Sequence, residues 1–433
     1  MKINKVNMGR ARKPTRLLVA FSTMAFGGAV IGLANTGAAS ASSKTITLQY
    51  WSTYNTADKE ASTIANVIIP AFEKANPGIK VKSVIYPYSA LLNKFITTSA
   101  AGNPPDVMRS DIGWIAQLAQ QGLIQNVGKL ASFAPVKADA LPGPLATTQV
   151  NGKYYAFPDD TNTQALYWNK ALFKAAGISG PPTTINEMIA DAKLLTVPSK
   201  QQYGLGVDGS DIWNMAPYIW SMGGSFTSAN YKTATGHMNS GATVTAVQTL
   251  VNLLKAGVIG SDFQGGASAV SGEQGFPKGV YAMYIDGPWA VPTYSAIKGM
   301  PNYGIALFPK GQAGTVSTVG GEDTVVAAQG HNQAAADKFA AFLSSPFAQL
   351  AMAKQGDMAA MKSDAAKEVA AVPYYHVFTQ QLLTAKIRAN SPGYSQMDSD
   401  WSNAIQQILA GKVTVSAGLN AVAQQANSDL AAS

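Results

Sequence analysis

The chain has 433 residues, 47% of them hydrophobic, with 32 basic groups, 24 acidic groups and no cysteine. That length exceeds what one compact core normally holds, so two lobes are expected, and the apolar share excludes a disordered chain. Without cysteine there are no disulfides, no thiolate metal sites and no lipid-modified cysteine, which fits a freely soluble exported protein.

The first 41 residues read as a secretion signal and stand apart from the fold. Lys2, Lys5, Arg10, Arg12, Lys13 and Arg16 form a basic leader, 17–34 is apolar or small, and Ala39-Ser40-Ala41 offers an A-x-A cleavage site. An uncleaved anchor is the other reading of an apolar stretch of this length; no later segment could span a bilayer. The leader carries six of the 32 basic residues and no acidic one, leaving 26 basic against 24 acidic groups, or +2. A basic pI therefore says little about nucleic acid, and that partner class is set aside. Charged residues are only 13% of the chain, about half the usual share, which suits a surface facing an acidic medium.

After the leader, Thr45 to Trp51 alternates like a strand. A helix with Ile64, Val67, Ile68, Ala71 and Phe72 on one face should follow, with Asp58 and Glu60 at its positive end and Pro77-Gly78 as its stop. A strand over 79–86, a helix over 89–101, the breaker Gly102-Asn103-Pro104-Pro105 and a strand over 106–110 come next. Strands alternating with helices predict a largely parallel sheet, with ligands beyond the carboxyl ends of its strands. Trp51, Tyr54, Ser110 and Asp111 sit there. A second α/β region spans 166–309, with helices over 184–195, 213–222 and 242–256 and a strand over 279–285. The tail predicts helices over 332–343, 346–355, 400–410 and 416–430.

Catalytic signatures are missing: His237, His331 and His376 are scattered, and there is no H-E-x-x-H, G-x-S-x-G or P-loop. A carboxylate pair such as Asp111 and Glu322 on opposite sides of a cleft is the pattern a glycosidase would need. Gly204 to Gly209 matches G-x-G-x-x-G, but Pro198 to Gln202 before it is no buried strand, so it reads as a turn. No metal or cofactor is indicated. The stronger signal is tryptophan beside short polar residues: Trp51-Ser52-Thr53-Tyr54, Asp211-Ile212-Trp213-Asn214 and Asp286-Gly287-Pro288-Trp289. Sugars need that combination, since their C–H faces lie on rings while their hydroxyls bond to polar groups.

Several motifs then carry a family resemblance across the chain. They are Ala71 to Val81, Ala100 to Val107, Gly152 to Pro158 running into Trp168-Asn169-Lys170, Trp220 to Ser225, Asp286 to Trp289, and Phe342 to Pro346. In this order they resemble the type 1 extracellular solute-binding proteins, including maltose-binding protein and its oligosaccharide-binding relatives. The resemblance implies an α/β, two-lobed periplasmic-binding-protein fold of type II, its discontinuous lobes joined by crossing strands near 161–164, 318–323 and 358–363. The implied division is a signal peptide over 1–41, lobe 1 over 42–160 plus 322–358, and lobe 2 over 161–321 plus 359–433. It also implies a monomer that captures an oligosaccharide outside the cytoplasmic membrane by hinge closure and delivers it to the permease subunits of an ABC importer. The sugar-touching positions it implies are Trp51, Tyr54, Ser110, Asp111, Asn162, Trp213, Asn214, Asp286, Trp289, Gly321 and Glu322. Two departures stand out: Asn162 replaces an acidic residue at the crossing, and Gly356-Asp357-Met358 replaces an aromatic turn. A phosphorylated polyol or other anion in the same fold would want a helix N-terminus or a basic cluster.

Overall fold

The computed structural model describes residues 45–56, 59–265 and 269–431. The leader over 1–41 and Asp58 lie outside these residues. Among the described residues no helix is long and apolar enough to cross a membrane.

In chain order the first strands are β1 (Ile46–Ser52), β2 (Ile79–Ile85), β3 (Val107–Asp111), β4 (Gln149–Val150), β5 (Lys153–Tyr154), β6 (Phe157–Pro158), β7 (Asp160–Thr163) and β8 (Ala165–Asn169). The rest are β9 (Tyr203–Leu205), β10 (Tyr281–Asp286), β11 (Tyr303–Ala306), β12 (Thr318–Gly320), β13 (Glu322–Val326), β14 (Met358–Ala359) and β15 (Lys386–Ile387). They build one sheet per lobe, β2-β1-β3-β13-β6 and β11-β8-β10-β9, with β14-β7-β12-β15 as a smaller third sheet and β4-β5 as a hairpin.

Strand β1 lies parallel to both β2 and β3, as strand–helix alternation predicts. Elsewhere the sheets are mixed: β13 runs antiparallel to β3 and β6, and β8 antiparallel to β10 and β11. The cause is topological. A strand that re-enters a sheet from the other lobe has no crossover helix to reverse its direction.

Both faces of the first sheet are covered, so β1 is buried on each side. Tyr50 packs with Phe72, Phe133 and Phe339 in one layer, whereas Trp51 packs with Phe95, Met108 and Trp114 in the other. In the second lobe one layer gathers Met283, Ile219 and Trp401, and the opposite layer Tyr167, Phe276, Tyr294 and Phe378. Truncating a fully buried side chain such as Trp401 costs about 3–5 kcal/mol.

Three local readings change. The helix before β2 carries a π-turn at Ile64–Ile68, followed by Pro70. Proline offers no N–H to the carbonyl four residues back, and the wider turn rotates Val67 out to 45% exposure while Ile64, Ile68 and Phe72 stay buried. The helix expected over 400–410 begins six residues earlier, at Tyr394. The glycine-rich run is half strand: Tyr203–Leu205 pairs with β10. A Cβ at Gly204 would lie 1.9 Å from the Ala192 carbonyl oxygen, so that glycine serves close strand–helix packing and not phosphate binding.

Candidate functional site

A cleft of about 700 Å³ opens between the lobes where β3, β7, β12 and β13 end. Its volume lies within the roughly 300–1,000 Å³ typical of small-ligand sites. Of the predicted residues, Asp111, Asn162, Trp213, Asn214, Trp289, Gly321 and Glu322 line it.

Trp213 opens the helix Ile212–Ser221, whose N-cap Asp211 accepts from the Asn214 backbone N–H at 3.0 Å and from its Nδ2 at 2.7 Å. The indole is held from β7 onward: Gln164 accepts from Trp213 Nε1 at 3.0 Å and donates to the Trp213 carbonyl at 3.1 Å, in the amide orientation that satisfies both. Beneath the ring the backbone must be bare. A Cβ on Gly320 would lie 2.6 Å from Trp213 and 2.1 Å from Asn162 Oδ1. Trp289 follows the turn after β10, and its ring centroid is 6.3 Å from that of Trp213 at 33° between planes. The two indoles thus form one continuous apolar wall.

The facing wall is charged. Arg109, 5% exposed, stacks 4.5 Å above the Tyr54 ring. Its Nη2 lies 2.7 Å from Asp160, 3.0 Å from Glu322 and 3.0 Å from Asp357, and its Nε is 3.7 Å from Asp159. One cation among three buried acids and the half-buried Glu322 leaves excess negative charge, and burial pushes the acids up: Asp159 to about 6 and Asp160 to about 7, with Glu322 and Asp357 also raised well above the carboxylate range. Arg388, after β15, donates through Nη2 to both oxygens of Asp111 at 2.9 and 3.1 Å and stacks on Trp213 at 5.3 Å. Tyr88 donates to the same aspartate at 3.1 Å. Asp111 ends β3 in the first sheet and β15 belongs to the third, so this pair ties the two sheets together.

Four predicted residues do not line the cleft. Trp51 is 8% exposed and packs on Tyr86 at 4.8 Å, turned inward by the covered sheet. Tyr54 is 3% exposed, bonded to Tyr50 at 3.0 Å, and serves the cleft through Arg109. Ser110 is fully buried with its hydroxyl on the Asp111 carbonyl. Asp286 accepts from Gly287 N–H at 2.8 Å and from Tyr294 at 3.2 Å, holding the turn that carries Trp289. Period two explains the exchange at β3: Arg109 and Asp111 share a face and Ser110 points away. That signal was present in the sequence; the approach of Arg388, Asp357 and Asp398 from distant segments was not.

Asp111 and Glu322 are direct partners across the β3/β13 ladder. They therefore stand side by side on one wall and do not flank a bond from opposite sides, as the glycosidase pattern would need. A separate cavity of about 610 Å³ is lined by Gln120, Asn151, Lys153, Lys232 and Asn390 among others, with no tryptophan.

The galactooligosaccharide-binding protein of Bacillus subtilis is 25% identical over 428 residues, covering 93% of this chain and 94% of its own length. A maltooligosaccharide ABC transporter solute-binding lipoprotein of Streptococcus pneumoniae is 27% identical over 357 residues, 78% of each chain. The GacH receptor of Streptomyces glaucescens, solved unliganded and with acarbose, superposes with a TM-score of 0.81 at 25% identity, over 89% of this chain and 99% of that one. Residues 56–350 match the family model for bacterial extracellular solute-binding proteins, and the chain belongs to that family.

Proposed function

We propose that this protein is the ligand-capturing component of an ABC importer, working outside the cytoplasmic membrane, and that it encloses an oligosaccharide in the interlobe cleft. The observation that carries this is the paired indole wall of Trp213 and Trp289 facing hydrogen-bonding side chains across a cavity of about 700 Å³. Ring faces take the apolar side of a pyranose, and Asn162, Asn214 and Glu322 offer partners for its hydroxyls. The relatives named above that bind galactooligosaccharides, maltooligosaccharides or acarbose support the same ligand class. The S. pneumoniae relative is a lipoprotein, whereas this chain has no cysteine to carry a lipid.

The lobes are taken as 42–160 plus 322–358 and 161–321 plus 359–433, with β7, β12 and β14 as the crossing strands that bend on closure. A ligand favours the closed form only through contacts with both lobes, which the two walls supply. The placement of Asp111 and Glu322 on one wall supports a reading of binding without chemistry. An anionic ligand is disfavoured because both cleft arginines already face carboxylates.

Thermal melting with maltose to maltotetraose and galactooligosaccharides is the test. A saturable upward shift with no product formed supports the proposal. Trp289→Ala should abolish that shift while leaving the ligand-free melting temperature within a few degrees; an undiminished shift removes Trp289 from the site.

A further inference from the structure

The cleft is more acidic than a neutral sugar requires. Among the described residues, seven carboxylates line it against two arginines and no lysine. Neither arginine can balance the excess. Arg109 is already shared by Asp160, Glu322 and Asp357, and Arg388 is taken by Asp111.

The surplus gathers around the indole wall. Asp211 and Asp398 meet at the start of the helix that carries Trp213, where Asp398 accepts from the Ile212 N–H at 2.7 Å. Glu273, exposed, lines the same cavity as Trp289. Among the described residues, two buried acceptor atoms of the lining side chains have no donor: Asn162 Oδ1 and Asp357 Oδ2. Aromatic faces ringed by carboxylates are also what attracts an organic cation, through the ring quadrupole and through charge. Burial and then Asp211 push Asp398 up to about 7, and a nearby cation would favour its ionised form. A metal ion is a poor alternative: among the described residues no three acidic or histidine side chains converge to hold one.

We infer that the ligand of this cleft is an oligosaccharide bearing a protonated amine, seated on the Trp213 and Trp289 rings with its nitrogen toward the surrounding carboxylates. The inference rests on the carbohydrate reading of the site and narrows it. Neutral sugars satisfy the acceptors but leave the charge; sugar acids and sugar phosphates add to it.

Calorimetry on matched pairs tests this with the whole protein. One pair is acarbose, which has an amine within its backbone, against maltotetraose of equal length. The other is the trimer of glucosamine against its N-acetylated counterpart. At low salt the amine member of at least one pair should bind about tenfold tighter than its neutral partner, an advantage that 0.5 M salt reduces. Asp398→Asn, which keeps an acceptor for the Ile212 N–H, should shrink the advantage of the amine member severalfold. Equal or tighter binding of the neutral member in both pairs overturns the inference while the carbohydrate reading stands. Failure of all four compounds, together with the maltose and galactooligosaccharide series, removes the carbohydrate reading itself.

Discussion

The two arginines of the cleft are both buried and both stack on an aromatic ring, yet they do opposite work. Arg109 is surrounded by four acids from β7, β13 and the segments beside them, so it neutralises a crowd within one region. Arg388 meets one acid, Asp111, 277 residues away across the cleft. The first is a local charge centre whose loss leaves several buried acids exposed to one another. The second links the end of β3 in the first sheet to the segment after β15.

The largest effect should come from Arg109→Met. Removing one partner of a buried ion pair costs about 3–5 kcal/mol, and urea unfolding at pH 7.5 should show a loss of that size. At pH 5 the loss should shrink, since protonated acids need no counter-ion. Arg388→Met should cost less, about 1–3 kcal/mol, and should also increase the ligand-free radius of gyration by small-angle scattering as the tie across the cleft is released. Equal losses from the two substitutions, or an unchanged radius for Arg388→Met, would break the distinction.

The smallest effect sharpens the Arg109 side. Asp160 titrates near 7 in the fold because burial, then Asp357 and Asp159, outweigh the lowering by Arg109, against about 3.9 in the unfolded chain. The folded state therefore binds the proton more tightly. The stability this gives is fully present below about pH 4 and is lost as pH rises through about 7. Asp160→Asn should flatten that decline between pH 4 and 7.5, seen as a smaller drop in melting temperature. A steeper drop would mean that Asp160 is ionised in the fold and held by Arg109.

The two-lobed α/β class was legible because β1, β2 and β3 alternate with helices and because family motifs recur in order along the chain. Trp213 and Trp289 were legible from their polar neighbours. Trp51 was misleading for a physical reason: it has the same composition around it, but its strand is covered on both faces. Arg388 and Asp398 could not be read from local pattern. Each reaches the cleft from the last quarter of the chain, and only tertiary packing brings Arg388 to Asp111 and Asp398 to the amide of Ile212.

In the third sheet β7 lies between β14 and β12, bonded to each, and β12 in turn to β15. The connections are thus not independent tethers. Their shared ladder resists relative sliding, so a change in pitch at one strand must be matched by its neighbours. A spacer residue inserted into any one of these strands should therefore shift the pairing of the whole ladder.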